Sequence, residues 1–430
     1  MACHFKDTLH YSSPANGGRG IVRTGMLIPE SVELFVCPFA CGRHGAISAV
    51  KQELKHRLSY LYVEQADIVN GYDDLILPAV GELLETLTER PKVVLVFVSC
   101  LDDLIGTDHE ALMERLSEKY PDVKFRSCHM NPISKGSKTP PAISIQNNIY
   151  SLLEPVSEKD RGVNCLGNLV EISRESEIYD YLKSLGYGEL RHISQYDTFE
   201  GYQEMAKSGF NLVITPVGRQ AAEQMEEKHG VPYVFLPVSY RMEEIEETYR
   251  KLRAALAGAR NGEEGESVCE TTETDFDFST HRQSALEAVE RARRAVGTTP
   301  IVVDASAVKR PFGLARALLE YGFHVVRVQA PECIGIDKES YQWLVSEHPE
   351  VEIVQSQHHR MVLRENQMLE SIAIGVDGAY LAGSRYVADL FDDEGVYGYQ
   401  GVQCLMEKLE HALDKPVDLE TMIHEYGLVV

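Results

Sequence analysis

The chain has 430 residues, 44% of them hydrophobic and 25% charged, with 42 Lys and Arg against 66 Asp and Glu for a formal charge of −24. That length accommodates two to four domains of about 100–200 residues, and the near-average composition supports buried cores. Acid spread along the whole chain excludes a binder of nucleic acid or of anionic membranes, which needs clustered Lys and Arg.

The recurring pattern is a short β-branched run, a turn and an amphipathic helix. Predicted strands in chain order are Val93–Ser99, Val123–Cys128, Val163–Leu166, Leu212–Thr215, Tyr233–Leu236, Ile301–Ala305, His324–Val328, Val351–Val354 and Gly378–Ala382. Each is short and apolar, as strands covered on both faces are. Predicted helices include Arg43–Arg57, His109–Lys119, Arg219–His229 (ending at Gly230, a left-handed cap) and Glu244–Leu256. Alternating strands and helices predict parallel α/β sheets. Residues 258–280, with seven acids against one Arg, read as an acidic linker, and a polar stretch precedes Val163. These breaks predict three doubly wound, Rossmann-like modules over 1–160, 161–295 and 296–430. No stretch reaches the roughly 20 apolar residues of a membrane span. Met1–Tyr11 lacks the pattern of a signal peptide, so the expected location is the cytoplasm.

Nine cysteines are too few and too odd in number for a disulfide framework. Three stand out by position. Cys41 opens the predicted helix Arg43–Arg57, where free N–H groups and the helix dipole stabilise a thiolate. Cys37 lies four residues earlier, in an expected turn around Pro38. Cys100 ends the strand Val93–Ser99, at the carboxyl edge where open α/β sheets carry their chemistry. Thiolates are the soft ligands of iron–sulfur clusters, which makes Cys37, Cys41 and Cys100 candidate metal and cofactor ligands. Spacing alone also fits buried, inert thiols. Cys3, Cys128, Cys165, Cys269, Cys333 and Cys404 read as structural.

Other polar groups admit two readings. Arg43 and His44 either tune a neighbouring cluster or form a solvated first turn. Asp102, Asp103 and Asp108 either form an acid–base site or, as Asp108 ahead of His109–Lys119 favours, cap a helix. His358-His359-Arg360 reads as a polar loop face. Gly17, Gly18 and Gly20 follow no clear strand, so they are not a dinucleotide fingerprint. No Walker phosphate loop is present.

Five pieces, in order along the chain, resemble the nitrogenase component 1 family. They are Ser12-Ser13-Pro14-Ala15-Asn16-Gly17-Gly18-Arg19-Gly20-Ile21-Val22; Cys41-Gly42 opening a helix; and Ser99-Cys100 with Leu104-Ile105-Gly106-Thr107-Asp108. Asn211-Leu212-Val213 leading to Met225–Pro232, and Gly398-Tyr399-Gln400-Gly401 before a final helix, complete the set. The resemblance implies three Rossmann-like domains per subunit. It further implies a homodimer or paralogous heterodimer with an iron–sulfur relay at the interface, reduced by an ATP-dependent iron protein for an unidentified small-molecule substrate.

Carried over residue by residue, the resemblance makes Cys41 and Cys100 cluster ligands. The family's first cluster cysteine appears here as Ser13 or its neighbour, and Cys37 is a candidate replacement. Two cysteines per chain of a dimer supply four thiolates, enough for one bridging 4Fe–4S cluster. Three supply six, as the family's eight-iron cluster uses; the four-iron form is preferred. The family's active-site cofactor is held by a Cys and a His, whose places fall on Thr215 and about Tyr397, so the chain is expected not to be a true nitrogenase. The leading expectation is an electron-transferring component of a nitrogenase-like reductase. The alternatives are a cluster or cofactor assembly scaffold, and a non-redox binding protein with structural cysteines.

Overall fold

The computed structural model describes residues 9–15, 20–130, 139–261, 276–363 and 368–426. Within them the chain forms three sheets, and every strand pairing is parallel. The protein is therefore α/β with several Rossmann-like sheets. It divides into two compact units, one of Gly18–Glu171 with Leu190–Phe235, the other of Met1–Gly17, Ile172–Glu189 and Leu236–Val430.

The first sheet, in the unit of Gly18–Glu171, contains β1 (Ser31–Cys37), β2 (Leu58–Tyr62), β3 (Val93–Val98) and β4 (Lys124–His129) in the order β2-β1-β3-β4. Its centre is explained by side-chain alternation. Phe35, Cys37, Val93, Leu95 and Phe97 face one apolar cluster, while Val32, Leu34, Val36, Val94, Val96 and Val98 face another. Burial on both faces makes the run Val93-Val-Leu-Val-Phe-Val continuously apolar, which is why it was legible as a strand. Helices Asp73–Thr86 and His109–Lys119 cover the second face through Ile76, Val80, Leu83, Leu112 and Leu116.

The same unit holds the second sheet, with β5 (Asp160–Leu166), β6 (Leu190–Arg191), β7 (Ser208–Val213) and β8 (Tyr233–Phe235) in the order β6-β5-β7-β8. Helix Arg219–His229 follows β7 over the expected span. It ends at Gly230 with φ 64° and ψ 23°, the left-handed cap read from the sequence.

The third sheet lies in the other unit: β9 (Ile301–Asp304), β10 (Val325–Ala330), β11 (Glu352–Gln355), β12 (Ile372–Ile374) and β13 (Tyr386–Ala388), ordered β11-β10-β9-β12-β13. One expected strand is not one: Gly378–Ala382 belongs to the helix Val376–Ala382. Six of that helix's seven residues are buried, and a short apolar run reads alike whether it is a covered strand or a buried helix. The expected acidic linker also shrinks. Residues 258–261 complete the helix Met242–Asn261, and 279–280 begin the helix Ser279–Val296. The intervening 262–275, like Cys3, Cys269 and Asn16–Arg19, lie outside the described residues.

Candidate metal centre at the carboxyl edge of the first sheet

In a doubly wound sheet the crevice forms at the carboxyl ends of the two strands between which the order reverses. In β2-β1-β3-β4 those strands are β1 and β3, and the three singled-out cysteines gather there. Cys37 is the last residue of β1, paired beside Tyr62 of β2, rather than part of a turn. Val36 pairs with Val98, and the Ser99 amide donates to the Val36 carbonyl at 3.3 Å, so Cys100 follows directly at the same edge. Cys41 lies in the first turn of the helix Phe39–Lys51. That helix starts earlier than expected, with Pro38 at its N-cap, and ends sooner, at Lys51 with Gln52 as C-cap.

Exposure separates the three thiols. Cys41 is exposed, Cys100 half-buried and Cys37 wholly buried. Burial, with the neighbouring Cys41 thiol adding to it, pushes the Cys37 thiol up to about 12. Cys37 thus holds its proton, which a metal would have to displace. Gly42 makes the close packing here attainable. A Cβ on it would stand 2.7 Å from the Tyr60 ring and 3.3 Å from Cys37 Sγ, while Tyr60 Oη donates to the Gly42 carbonyl at 2.9 Å. The donor type suits a soft, sulfur-ligated cluster at Cys41, which is exposed, and Cys100, which is half-buried. Arg43 is exposed in this first helical turn.

Beyond β3 the edge carries a second set of ligand-type residues. Sequence reading weighed Asp102 only as an acid–base group or a cap and gave no site role to His109 or His129. Asp108 does cap the helix His109–Lys119, accepting from the Ala111 amide at 3.0 Å. Asp102 does not cap. It is buried, accepts from Tyr72 Oη at 2.8 Å and is hydrogen-bonded to His109 Nε2. Burial pushes its carboxyl up, but the bonds from His109 and Tyr72 outweigh this and leave it below the usual carboxylate range. His129, the last residue of β4, completes a group of three whose ligand atoms lie within 4.8 Å of one another. No spacing rule links positions 102, 109 and 129; parallel pairing of β3 and β4, with Val98 opposite His129, brings them together.

The remaining singled-out residues take structural places. Ser13 belongs to the unit of the third sheet, buried and hydrogen-bonded to Asp377. Thr215, just past β7, donates to the Gly167 carbonyl at 2.5 Å. Gly218 there approaches Gly167 so closely that a Cβ would stand 2.6 Å from the Gly167 Cα. Tyr397 is buried. The Gly398-Tyr399-Gln400-Gly401 run starts the helix Gly398–Ala412 on a buried carboxylate: Glu177 accepts from the Tyr399 amide at 2.6 Å and the Gln400 amide at 3.2 Å. Gly398, at φ 62°, has no room for a side chain beside that carboxylate. Cys128 and Cys165 are core thiols, as expected, and Cys333 and Cys404 are half-buried. His358 and His359 stack at the start of a short 3-10 helix.

Three parallel α/β sheets, the first with ligand-type residues at its switch-point edge, define a Rossmann-like α/β architecture with a candidate metal site. Residues 20–420 match the family described as nitrogenase component 1 type oxidoreductase, and the chain belongs to that family. It is 22% identical over 219 residues to the nitrogenase iron-molybdenum cofactor biosynthesis protein NifE of Clostridium pasteurianum, covering 48% of this chain and 46% of that protein. With the NifE protein of Mesorhizobium japonicum it shares 24% identity over 342 residues, covering 76% of this chain and 61% of the relative. The chain thus matches about half to three-fifths of the length of these curated relatives. In fold it is similar to a solved structure of nitrogenase Cp1 at pH 6.5, with a TM-score of 0.68 at 16% identity over 95% of this chain and 94% of that one. Among the described residues no helix is long and apolar enough to cross a membrane.

Proposed function

We propose that this chain is a scaffold on which an iron–sulfur cluster, or a cofactor built from one, is held during assembly and then passed on. The observation that carries the reading is the meeting of Cys37, Cys41 and Cys100 at the switch-point edge of the first sheet. Its direction comes from the relatives, which are named for cofactor biosynthesis. Thr215 and Tyr397, at the places where the family's cofactor ligands fall, support it. Hydroxyls are poor partners for soft clusters, and that of Thr215 is already bonded to Gly167. The burial of Cys37 favours Cys41 and Cys100 as the ligands, each supplied by two copies or by one copy and a paralogue. Four thiolates then hold a single 4Fe–4S cluster rather than an eight-iron one.

Anaerobic transfer tests the scaffold reading. Reconstituted protein mixed with an apo acceptor of a 4Fe–4S cluster is expected to lose its iron and sulfide to the acceptor without ATP. Retention of the cluster, with reduction only by an ATP-dependent iron protein, would instead favour the electron-relay reading. That second reading is favoured by the family description as an oxidoreductase over residues 20–420.

A further inference from the structure

We propose that Asp102, His109 and His129 form a mononuclear site for a divalent transition-metal ion of the zinc or ferrous class, separate from the cysteine cluster. The proposal does not rest on the scaffold reading. The three residues come from three elements: the helix Asp102–Ile105 after β3, the first position of the helix His109–Lys119, and the end of β4. One ligand atom from each lies within 4.8 Å of the others. Metal bonds of about 2.1 Å to nitrogen and oxygen allow two ligands to stand up to about 4.2 Å apart. Around a tetrahedral ion such ligands stand about 3.4 Å apart, so closing the set needs side-chain shifts on the order of 1 Å, with Asp102 and His109 parting from their direct hydrogen bond to admit the ion.

The surroundings have the features of such a site. Asp102 is 2% exposed. Its Oδ1 is held by Tyr72 Oη at 2.8 Å, as outer partners hold the carboxylates of metal centres. The His109 and His129 rings meet edge to face, with centroids 4.8 Å apart and planes at 88°. His109 Nδ1 is buried and makes no hydrogen bond among the described residues, so one ring nitrogen beside its bond to Asp102 is left without a partner. Two imidazoles and one carboxylate select a borderline divalent ion and leave a coordination position for water or a substrate atom. Iron–sulfur clusters, by contrast, require thiolates.

Cobalt(II) is the probe that separates the two donor sets, because thiolate ligation gives strong sulfur-to-metal charge transfer and nitrogen–oxygen ligation does not. Chelator-stripped, full-length Cys41→Ala/Cys100→Ala protein is titrated with cobalt(II) under argon. The expected result is saturation at about one ion per chain, visible d–d absorption without thiolate charge transfer, and displacement by zinc. His129→Gln and Asp102→Asn are each expected to weaken binding more than about 10-fold, the loss that even an outer partner of a ligand can cause. X-ray absorption of the zinc-loaded Cys41→Ala/Cys100→Ala protein supplies a second readout, with nitrogen and oxygen neighbours only. The proposal is overturned by a folded protein that shows no saturable binding, by binding that both variants leave unchanged, or by sulfur in the zinc shell.

Discussion

Cys37 and Cys41 are four residues apart, yet the first is sealed in the core at the end of β1 and the second is exposed in the helix that follows. Reactivity follows the accessible thiolate, and burial holds the Cys37 thiol near 12. Brief alkylation of apoprotein at pH 8 is therefore expected to label Cys41 fully and Cys100 in part. Cys37, Cys128 and Cys165 should react only after denaturation, as mass spectrometry of peptides would show. Rapid labelling of Cys37 in the folded protein would mean that its sulfur reaches the edge directly and would restore the six-thiolate arrangement.

Gly42 sits where the Phe39–Lys51 helix touches Tyr60. A Cβ there would be 2.7 Å from the ring. Gly42→Ala is expected to destabilise the unit by about 1–3 kcal/mol, the usual cost of forcing an extra carbon into a packed contact. It should also raise alkylation of Cys37 as the helix moves off β1. An unchanged melting temperature would show that Tyr60 yields without cost.

Asp108 caps the helix that begins at His109. Asp108→Ala is expected to cost about 1 kcal/mol and, by loosening the position of His109, to weaken cobalt binding at the proposed divalent site. A urea midpoint and a cobalt titration on the same variant check both effects. Equal stability with unchanged metal affinity would contradict the positional role given to this cap.

His192 contributes one part of the pH dependence. It is buried and kept neutral, its Nδ1 accepting from the Ser194 amide at 3.1 Å and its Nε2–H donating to the Asn168 carbonyl at 3.2 Å. Burial lowers it to about 4 from an ordinary 6.5. The unfolded chain therefore binds the extra proton first. The stability that His192 contributes is present above pH 6.5 and is lost as pH falls through 6.5 toward 4, on the order of 3 kcal/mol. His192→Asn keeps an acceptor for the Ser194 amide but loses the bond to Asn168. The variant is expected to be less stable than wild type at pH 7 and to approach it near pH 4. A constant gap across that window in thermal unfolding would assign the acid response to other groups.

Much of the architecture was legible because periodicity reports burial. The runs Val93–Val98 and Arg219–His229 declared themselves through uninterrupted apolarity and through a terminal glycine. Strands of two or three residues, such as Leu190–Arg191 and Ile372–Ile374, are too short to carry a period. The helix Val376–Ala382 is buried on nearly every side and so lost the polar stripe that marks a helix. At the candidate site, Cys41 and Cys100 stood out by position, at a helix start and just past a strand, while core thiols such as Cys37 and Cys128 also lie at or near strand ends. Asp102, His109 and His129 were not visible as a set. Their proximity arises from the parallel register of β3 and β4, which no local spacing encodes.

The most direct measurement is iron and acid-labile sulfide in anaerobically purified, reconstituted protein, wild type beside Cys41→Ala/Cys100→Ala. The account predicts about four of each per cluster-bearing dimer in the wild type and near-complete loss in the double variant. Near-zero content in the wild type after reconstitution, or equal content in the two proteins, would contradict it.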